Sequence, residues 1–232
     1  MNLKLLLFFF FISSITFGQS LQIQSGASVS FLDWQYKEAS FDLGYDQPLI
    51  TPDILIGINY ISTRHFNLST NIGFISKGGR VGENNEIPGI ARDADNMVSK
   101  INYFSWNALV EFKYPLNEEW SPFISVGPRI DYVLDVKGEI EGVDEIGAIK
   151  SKMRGFILGA GIIYKKDITS YGLRLDYYIN RDQIADWPAS QTNFGGNISD
   201  NTFTLNLFFA YDIKPDPWKK GMKRLCRRQW GR

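Results

Sequence analysis

The chain has 232 residues with 25 basic and 25 acidic side chains, so it carries no formal net charge, which argues against a globally basic nucleic-acid-binding protein. Apolar residues make up 44% and charged residues 22%, a composition that excludes a disordered chain. A single cysteine and a single histidine exclude a disulfide scaffold and a Cys/His zinc site.

The first residues have the layout of an export signal. Lys4 supplies a positive start, residues 5–12 form an apolar run, and Thr16 and Gly18 are small residues at the −3 and −1 positions of a cut before Gln19. The apolar run is shorter than the ~20 residues that a spanning helix needs. We therefore predict a signal peptide over residues 1–18. No later stretch is long enough for a membrane helix, so any membrane crossing would have to use strands.

The mature chain shows alternation of apolar and polar residues rather than helical periodicity. This alternation predicts eight strands, near residues 21–31, 54–60, 66–74, 104–114, 124–132, 155–164, 171–178 and 202–213.

The predicted connections alternate between long and short along the chain. The long ones cover about 35–50, 78–98, 135–151 and 181–200, and the short ones about 62–65, 115–120 and 166–169. Alternate connections of an antiparallel meander lie at the same end. The pattern therefore predicts an all-β fold: an eight-stranded antiparallel up-and-down transmembrane β-barrel over residues 19–214, with long extracellular loops and short periplasmic turns.

Aromatic residues cluster at both ends of the apolar stripes, as expected for girdles at the two membrane surfaces. The short-turn set is Tyr60, Phe66, Tyr114, Tyr164, Tyr171 and Tyr211, and the long-loop set is Phe31, Phe104, Tyr132, Tyr177 and Phe203.

Alternation alone does not separate the inside of a barrel from its outside. A soluble exported lipocalin-like binding barrel would place the same apolar stripes inward. The aromatic ends of the stripes, the Gly, Ser and Asn on the opposite face, and the loop asymmetry favour the membrane. A β-sandwich is disfavoured because its Greek-key connections would not alternate so regularly.

Residues 20–213 resemble the small outer-membrane β-barrel proteins of Bacteroidetes, the PorT-like and OmpA-type barrel group. The resemblance rests on the opening MNLKLLLFFFFISSITFGQS, on glycine-rich strands and on the last strand, NTFTLNLFFAYDI. It implies an outer-membrane location and carries no functional residue over to this chain. Such barrels usually end at the last strand, whereas 18 residues follow Lys214 here.

The one histidine, His65, is the only candidate for a histidine general base. It lies in the predicted short turn TRHF, with no Ser/Asp constellation around it, and at the wrong end for a protease at the extracellular rim. We therefore expect no catalytic activity, no cofactor and no metal site. A lipid-modifying barrel enzyme is the alternative.

Six ionisable residues fall on the predicted inner face of the barrel. At membrane depth they either line a proton or ion path or pair with one another as a plug. The plug is favoured, because the bore of an eight-stranded barrel is filled by side chains and an unpaired buried charge is costly. A general porin would need about sixteen strands. The six are Glu111, Lys113, Arg129, Asp131, Arg174 and Asp176.

The long loops are acidic, and they lack the spacing of an EF-hand calcium loop. Their large apolar residues Ile87, Ile90, Trp187 and Phe194 are expected to be exposed and could contact a protein partner. Membrane lipid is the other expected partner, and nucleic acid is not. We expect a monomer with a structural, adhesive or secretion-accessory role.

The charge is uneven along the chain. Residues 215–232 hold seven basic residues and one acidic residue, whereas residues 20–214 hold 17 basic and 24 acidic ones. We predict a basic periplasmic tail, either a short amphipathic helix at the membrane surface or an extended segment. Its cysteine, Cys226, has no partner in the chain.

Overall fold

Nine antiparallel strands account for nearly all of the described chain. The computed structural model describes residues 20–36, 47–80, 98–138, 140, 147–187 and 196–213. No helix long and apolar enough to cross a membrane occurs within these residues. The strands are β1 (Ser20–Tyr36), β2 (Gln47–Ser62), β3 (Phe66–Arg80), β4 (Val98–Lys113), β5 (Trp120–Lys137), β6 (Lys152–Lys166), β7 (Thr169–Asn180), β8 (Ala185–Trp187) and β9 (Gly196–Asp212).

Eight of the strands form a closed barrel. Each strand from β1 to β6 pairs with the next, β7 pairs with β9, and β9 pairs with β1. The closing ladder is long, from Ser20↔Asp212 to Tyr36↔Gly196. The three-residue β8 pairs with Ile198 and its neighbours on β9, beyond the part of β9 that β7 covers. The predicted eight-stranded antiparallel barrel is therefore confirmed.

The short connections are tight turns at one end of the barrel. Thr63 closes the first, because its Oγ1 accepts the Phe66 N–H at 3.0 Å. Asn117 orders the second by accepting the N–H groups of Glu119 and Trp120. Asp167 in the third has a φ of 54°, the left-handed conformation that Asp tolerates better than most residues. We call this the short-turn end and the opposite one the long-loop end.

The apolar stripes face outward. Leu205 and Phe156 are 51% and 50% exposed, whereas Arg129 and Arg174 are 1% and 0% exposed. On β1, β4 and β9 the outward apolar stretch covers residues 21–31, 104–112 and 203–211, about nine to eleven residues each, which is the length that a tilted strand needs to cross hydrocarbon. The lipocalin-like alternative is therefore wrong, because it requires this stripe inside. We call the outward stretch the apolar belt.

Aromatic side chains lie on the outer face at both edges of the belt, as predicted. At the long-loop edge Tyr177 stacks on Phe203, with ring centroids 4.7 Å apart. At the short-turn edge Tyr171 contacts Phe209 at 5.3 Å, and Tyr114 is exposed. The two predicted aromatic rings are thus present around the barrel.

The barrel wall continues past the belt at the long-loop end. There the apolar side chains face inward and the polar ones face outward. On β1, Leu21 and Ile23 face outward within the belt, but farther along Leu32 and Trp34 are buried while Asp33 is exposed. The strands therefore extend into segments predicted as loops, and β8 lies wholly within one. Strands β1, β5 and β9 have 17, 18 and 17 residues, more than the bilayer requires.

Inside the barrel lies an apolar cluster, which we call the apolar cap; it fills the protruding wall and reaches down to Leu109 and Ile157 at the height of the belt. Two of its members, Ile140 and Ile184, lie in connections between strands, and both are fully buried. Trp187, predicted to be an exposed loop residue, is 8% exposed and meets Trp34 edge-to-face at 6.1 Å. That prediction is wrong, because residues 185–187 form a strand that turns its apolar side chains inward. The cap comprises Leu32, Trp34, Ile75, Ile101, Tyr103, Leu109, Ile140, Met153, Ile157, Tyr178, Ile184, Ala185, Trp187 and Ile198.

Several predicted features lie outside the described residues. They are the signal peptide over residues 1–18, the loop residues Ile87, Ile90 and Phe194, and the basic tail over residues 215–232 with Cys226.

Replacing Leu207 by Arg tests the belt. Leu207 is 69% exposed at the middle of the belt on β9, where an arginine on the lipid face costs about 2–4 kcal/mol. We expect Leu207→Arg to lower the free energy of unfolding in lipid vesicles by that amount, measured by urea titration. Asn201→Arg, on the same face of β9 above the belt, should be tolerated. Equal tolerance of both variants would contradict the assignment.

Candidate functional site

The bore of the barrel holds charged side chains on its inner face, in two groups. The first, the lower charged layer, consists of Glu111, Arg174 and Asp176. The Arg174 guanidinium donates to a carboxylate oxygen of Glu111, and its Nε lies 3.3 Å from Asp176 Oδ1. The guanidinium also lies over the Phe123 ring, 5.1 Å from its centroid. One cation thus joins carboxylates from β4 and β7 inside the wall.

Amide side chains continue this layer towards the short-turn end. Asn67 Nδ2 donates to the second oxygen of Glu111 at 2.7 Å and to Asn59 Oδ1 at 3.1 Å. Asn59 Nδ2 in turn donates to Ser20 Oγ at 2.6 Å. Glu111 therefore has a partner for each oxygen, which is what a buried carboxylate requires.

Glycine on the inner face of β6 makes room for the lower charged layer. A Cβ at Gly159 would lie 1.9 Å from Asp176 Oδ1 and 2.5 Å from Ser125 Oγ, closer than any real contact. The alternating glycines of β6, which the sequence shows plainly, are thus explained by the bulk of the facing side chains.

The second group, the upper charged layer, consists of Lys77, Arg129, Asp131 and Asp200. Lys77 Nζ lies 2.9 Å from Asp131 and 3.5 Å from Asp200, and Arg129 Nη1 lies 3.4 Å from Asp131. All four residues are buried. The layer joins β3, β5 and β9 across the bore.

Two tyrosines of the apolar cap cover the cations of this layer. Lys77 Nζ lies 5.1 Å and 5.2 Å from the ring centroids of Tyr103 and Tyr178, and the Arg129 guanidinium lies 4.3 Å from Tyr178. These are cation–π distances, at which desolvated pairs attract strongly. The upper charged layer and the cap therefore form one continuous packed block.

The six ionisable residues predicted for the lumen do not form a single network. Glu111, Arg174 and Asp176 come together in one layer, and Arg129 and Asp131 in the other. Lys113 belongs to neither. It is half-buried near the short-turn end, with Nζ 3.5 Å from Ser62 Oγ.

Three buried charged residues, Lys77, Asp200 and Asp53, lie outside the set predicted from the sequence. Lys77 lies just past the predicted end of the third strand, Asp200 in a predicted loop, and Asp53 one residue before the predicted second strand. Continuing the inward phase of Asn71 by steps of two would have reached Lys77, because the strand period is constant.

Asp53 differs from the other buried carboxylates. Neither of its oxygens has a hydrogen-bond partner among the described residues, and it is 3% exposed. It shares Gly26 as a register partner with Asn206, which faces Gly26 from the other side. Asn206 Oδ1 is likewise buried and unpartnered in the described part of the chain. Polar groups in such a position favour internal water over apolar contents.

The register between β2 and β3 is interrupted over several residues towards the long-loop end. Their register breaks between Pro48/Gly79 and Ile54/Phe74. Hydroxyl groups replace the missing ladder bonds: Ser28 Oγ and Thr51 Oγ1 donate to the Ser76 carbonyl at 2.8 and 2.6 Å. Ser30 Oγ accepts the Gly78 N–H at 2.7 Å. The Ser76 carbonyl and the Gly78 N–H of β3 are therefore bonded by side-chain hydroxyl groups.

Within the described ranges, no group of three or more His, Cys, Asp and Glu side chains could hold a metal ion. His65 is exposed in the turn between β2 and β3, where its carbonyl accepts the Lys113 N–H at 2.9 Å. This is the turn position predicted from the sequence.

The comparisons with known proteins bear on the fold alone. No family model and no curated protein matches the chain. The outer membrane protein OprG of Pseudomonas aeruginosa matches at a TM-score of 0.51 with 10% identity, over 85% of this chain and 97% of that one. The chain has the fold of a small outer-membrane β-barrel.

Two further solved structures are similar at lower scores. Neisserial surface protein A matches at a TM-score of 0.47 with 9% identity, over 83% of this chain and 97% of that one. The outer membrane protein AlkL matches at 0.47 with 13% identity, over 85% and 91% of the two chains. The PorT-like and Bacteroidetes part of the predicted resemblance finds no support in these matches.

Removing the cation of the lower charged layer should lower the free energy of unfolding of the barrel. Arg174→Met leaves Glu111 and Asp176 buried without their cation, which costs about 3–5 kcal/mol. We expect that loss in urea titrations in lipid vesicles. Adding Glu111→Gln and Asp176→Asn to the same chain should restore most of it, because no buried charge then remains in the layer.

Arg154→Met provides the matched control. Arg154 is exposed and its guanidinium, bonded to Asp182, holds the pKa of that carboxyl below its usual range. Solvent screens such a pair, so the loss should be much smaller. An equal effect of Arg154→Met and Arg174→Met would refute a stabilising role for the buried layer.

Proposed function

We propose that the protein is a non-catalytic barrel of the outer membrane, whose long-loop end faces outward and serves as the interaction surface in a structural, adhesive or secretion-accessory role. The belt supports the location, because an outward apolar stretch of membrane-crossing length needs hydrocarbon around it. OprG, the structural neighbour described above, is itself an outer membrane protein.

The observation that carries the proposal is the filling of the bore. Arg174 and Arg129, the bulkiest side chains of the two charged layers, are fully buried and paired, and the apolar cap packs directly on the upper layer. A conducting path would need charges that face water rather than one another. The filled bore leaves the outer surface and the loops as the parts available for function.

The construction of the long-loop end also supports an interaction role. The cap fixes the bases of the connections, since Ile140 and Ile184 are buried in it and the Ile184 N–H donates to Ile198 O at 2.8 Å. Binding loops work best when a rigid scaffold holds them. The wall beyond the belt would hold the loops clear of the lipid headgroups.

The lipid-modifying enzyme has weaker support. Its only histidine base would be His65, which stands at the opposite end from the loops and is exposed in a turn. Glu111 and Asp176, the carboxylates of the lower layer, are tied to Arg174 instead of being free for acid–base work.

The finer assignments belong to the same proposal. They are a signal peptide over residues 1–18, a barrel domain over residues 19–214, a periplasmic basic tail over residues 215–232, a monomeric state and membership of the PorT-like group. Each rests on the sequence patterns described above. The two charged layers are likewise proposed to act as a plug, because each buried cation has a carboxylate within 4 Å.

The location is tested by fractionation. We expect the protein in the outer-membrane fraction, migrating faster on gels without boiling than after boiling, because closed barrels resist detergent until heated. Recovery in the soluble periplasmic fraction after gentle lysis would overturn the proposal.

The filled bore predicts low conductance. In planar bilayers the purified protein should show no steady ohmic steps, because the two charged layers and the cap occupy the bore. A general porin of about sixteen strands, studied in the same bilayers, provides the positive control. Uniform unitary steps from the purified protein would refute the closed lumen.

A further inference from the structure

Basic side chains surround part of the wall just above the apolar belt. We call this set the basic collar. Its members project outward from consecutive strands or the segments beside them and are exposed or half-buried. They are Lys100, Lys137, Lys150, Lys152, Arg154 and Arg181.

The collar stands at the height where lipid headgroups would meet the wall. On β6, Arg154 and Phe156 both face outward and are two residues apart. Arg181, directly after the end of β7, follows Ile179 by the same two residues. Two residues along a strand span about 7 Å. Lys152 Nζ lies 5.5 Å from the centroid of Tyr132, a member of the long-loop aromatic ring. The collar is thus contiguous with the edge of the belt.

The collar is absent from the β9–β1 side of the barrel within the described residues. At the same height β9 presents Asn201 and Ser199, and β1 presents Asp33 and Gln35. The β4–β7 side is therefore strongly positive, whereas the β9–β1 side is neutral or acidic. A wall that merely needed solubility above the membrane would not require this segregation.

Four collar cations make no ion pair with another described residue, and two of these, Lys152 and Arg181, lie on neighbouring segments of the wall. Arg154 is bound by Asp182, and Lys137 lies 3.4 Å from Asp135. Lys152 and Arg181 make no ion pair with another described residue, and both are exposed. They stand close together, because the Arg181 N–H donates to the Arg154 carbonyl and Arg154 lies two residues from Lys152 on β6. An arginine and a lysine, both exposed, thus lie on adjacent segments at the same edge of the belt.

We propose that the basic collar binds the phosphate groups of an anionic lipid in the leaflet at the long-loop end, on the β5–β7 side of the barrel. Guanidinium groups bind phosphate through paired hydrogen bonds, and ammonium groups add charge. The acyl chains of such a lipid would lie along the belt, on Phe156, Ile130 and Ile179. The proposal rests on the proposed membrane location and adds the headgroup chemistry to it.

The test uses the full mature chain in phosphatidylcholine nanodiscs, with and without a minor fraction of lipid A, a glucosamine lipid that carries phosphate monoesters. Bound lipid is counted by native mass spectrometry after gentle detergent release. We expect wild type to retain lipid A in preference to phosphatidylcholine. Lys152→Gln with Arg181→Gln should reduce this retention about tenfold, since each cation near an anionic surface contributes substantially.

Arg64→Gln with Lys166→Gln is the matched control, because it removes the same two charge types from exposed positions at the short-turn end. It should retain lipid A like wild type. Equal retention by the collar variant and wild type would overturn the proposal, as would full displacement of lipid A by inorganic phosphate at matched ionic strength, which would indicate a simple anion site. Failure of every variant to enter nanodiscs would instead contradict the membrane location.

Discussion

The pairing of the first strand with the last determines what every other part of this molecule can do. The β1–β9 ladder runs from Ser20↔Asp212 to Tyr36↔Gly196 and leaves the barrel without a free edge. In hydrocarbon an unpaired backbone group costs several kcal/mol, so an open sheet could not carry an apolar outer face through a bilayer. At the β2–β3 seam, where ladder pairs are missing, hydroxyl groups of Ser28, Ser30 and Thr51 bond the Ser76 carbonyl and the Gly78 N–H.

Closure of the barrel also determines how the charged side chains inside it are arranged. Eight strands leave a bore about as wide as the side chains that fill it, so charges inside must meet one another. The buried guanidiniums of Arg129 and Arg174 and the ammonium of Lys77 each contact a carboxylate. Asp53 has no hydrogen-bond partner among the described residues, so the pairing of buried charges is incomplete. Pairing of this kind stabilises a closed bore more readily than it permits ion flow.

The sequence predicted the number of strands, their outward apolar face and most of the buried charges, because a period of two fixes which residues share a face. It did not predict how far the strands continue. Leu32 follows Phe31 directly, and this pair of adjacent apolar residues breaks the alternation where the inner and outer faces exchange polarity. The same exchange left Lys77 just past a predicted strand and Asp200 in a predicted loop. It also made Trp187 look exposed, since the pairing of β8 with β9 and the contact with Trp34 turn this side chain inward.

Because the inner and outer faces exchange polarity along β1 and β9, one end of the barrel is suited to hydrocarbon and the other end to water. Near Leu205 the apolar side chains of β9 face outward, as in a transmembrane barrel. Near Ile198 they face inward, as in a water-soluble barrel with an apolar core. The upper portion can condense in water through ordinary hydrophobic collapse, but the lower portion gains nothing until hydrocarbon surrounds it. Removal of amphiphile should consequently fray the molecule from its short-turn end while the long-loop end stays compact.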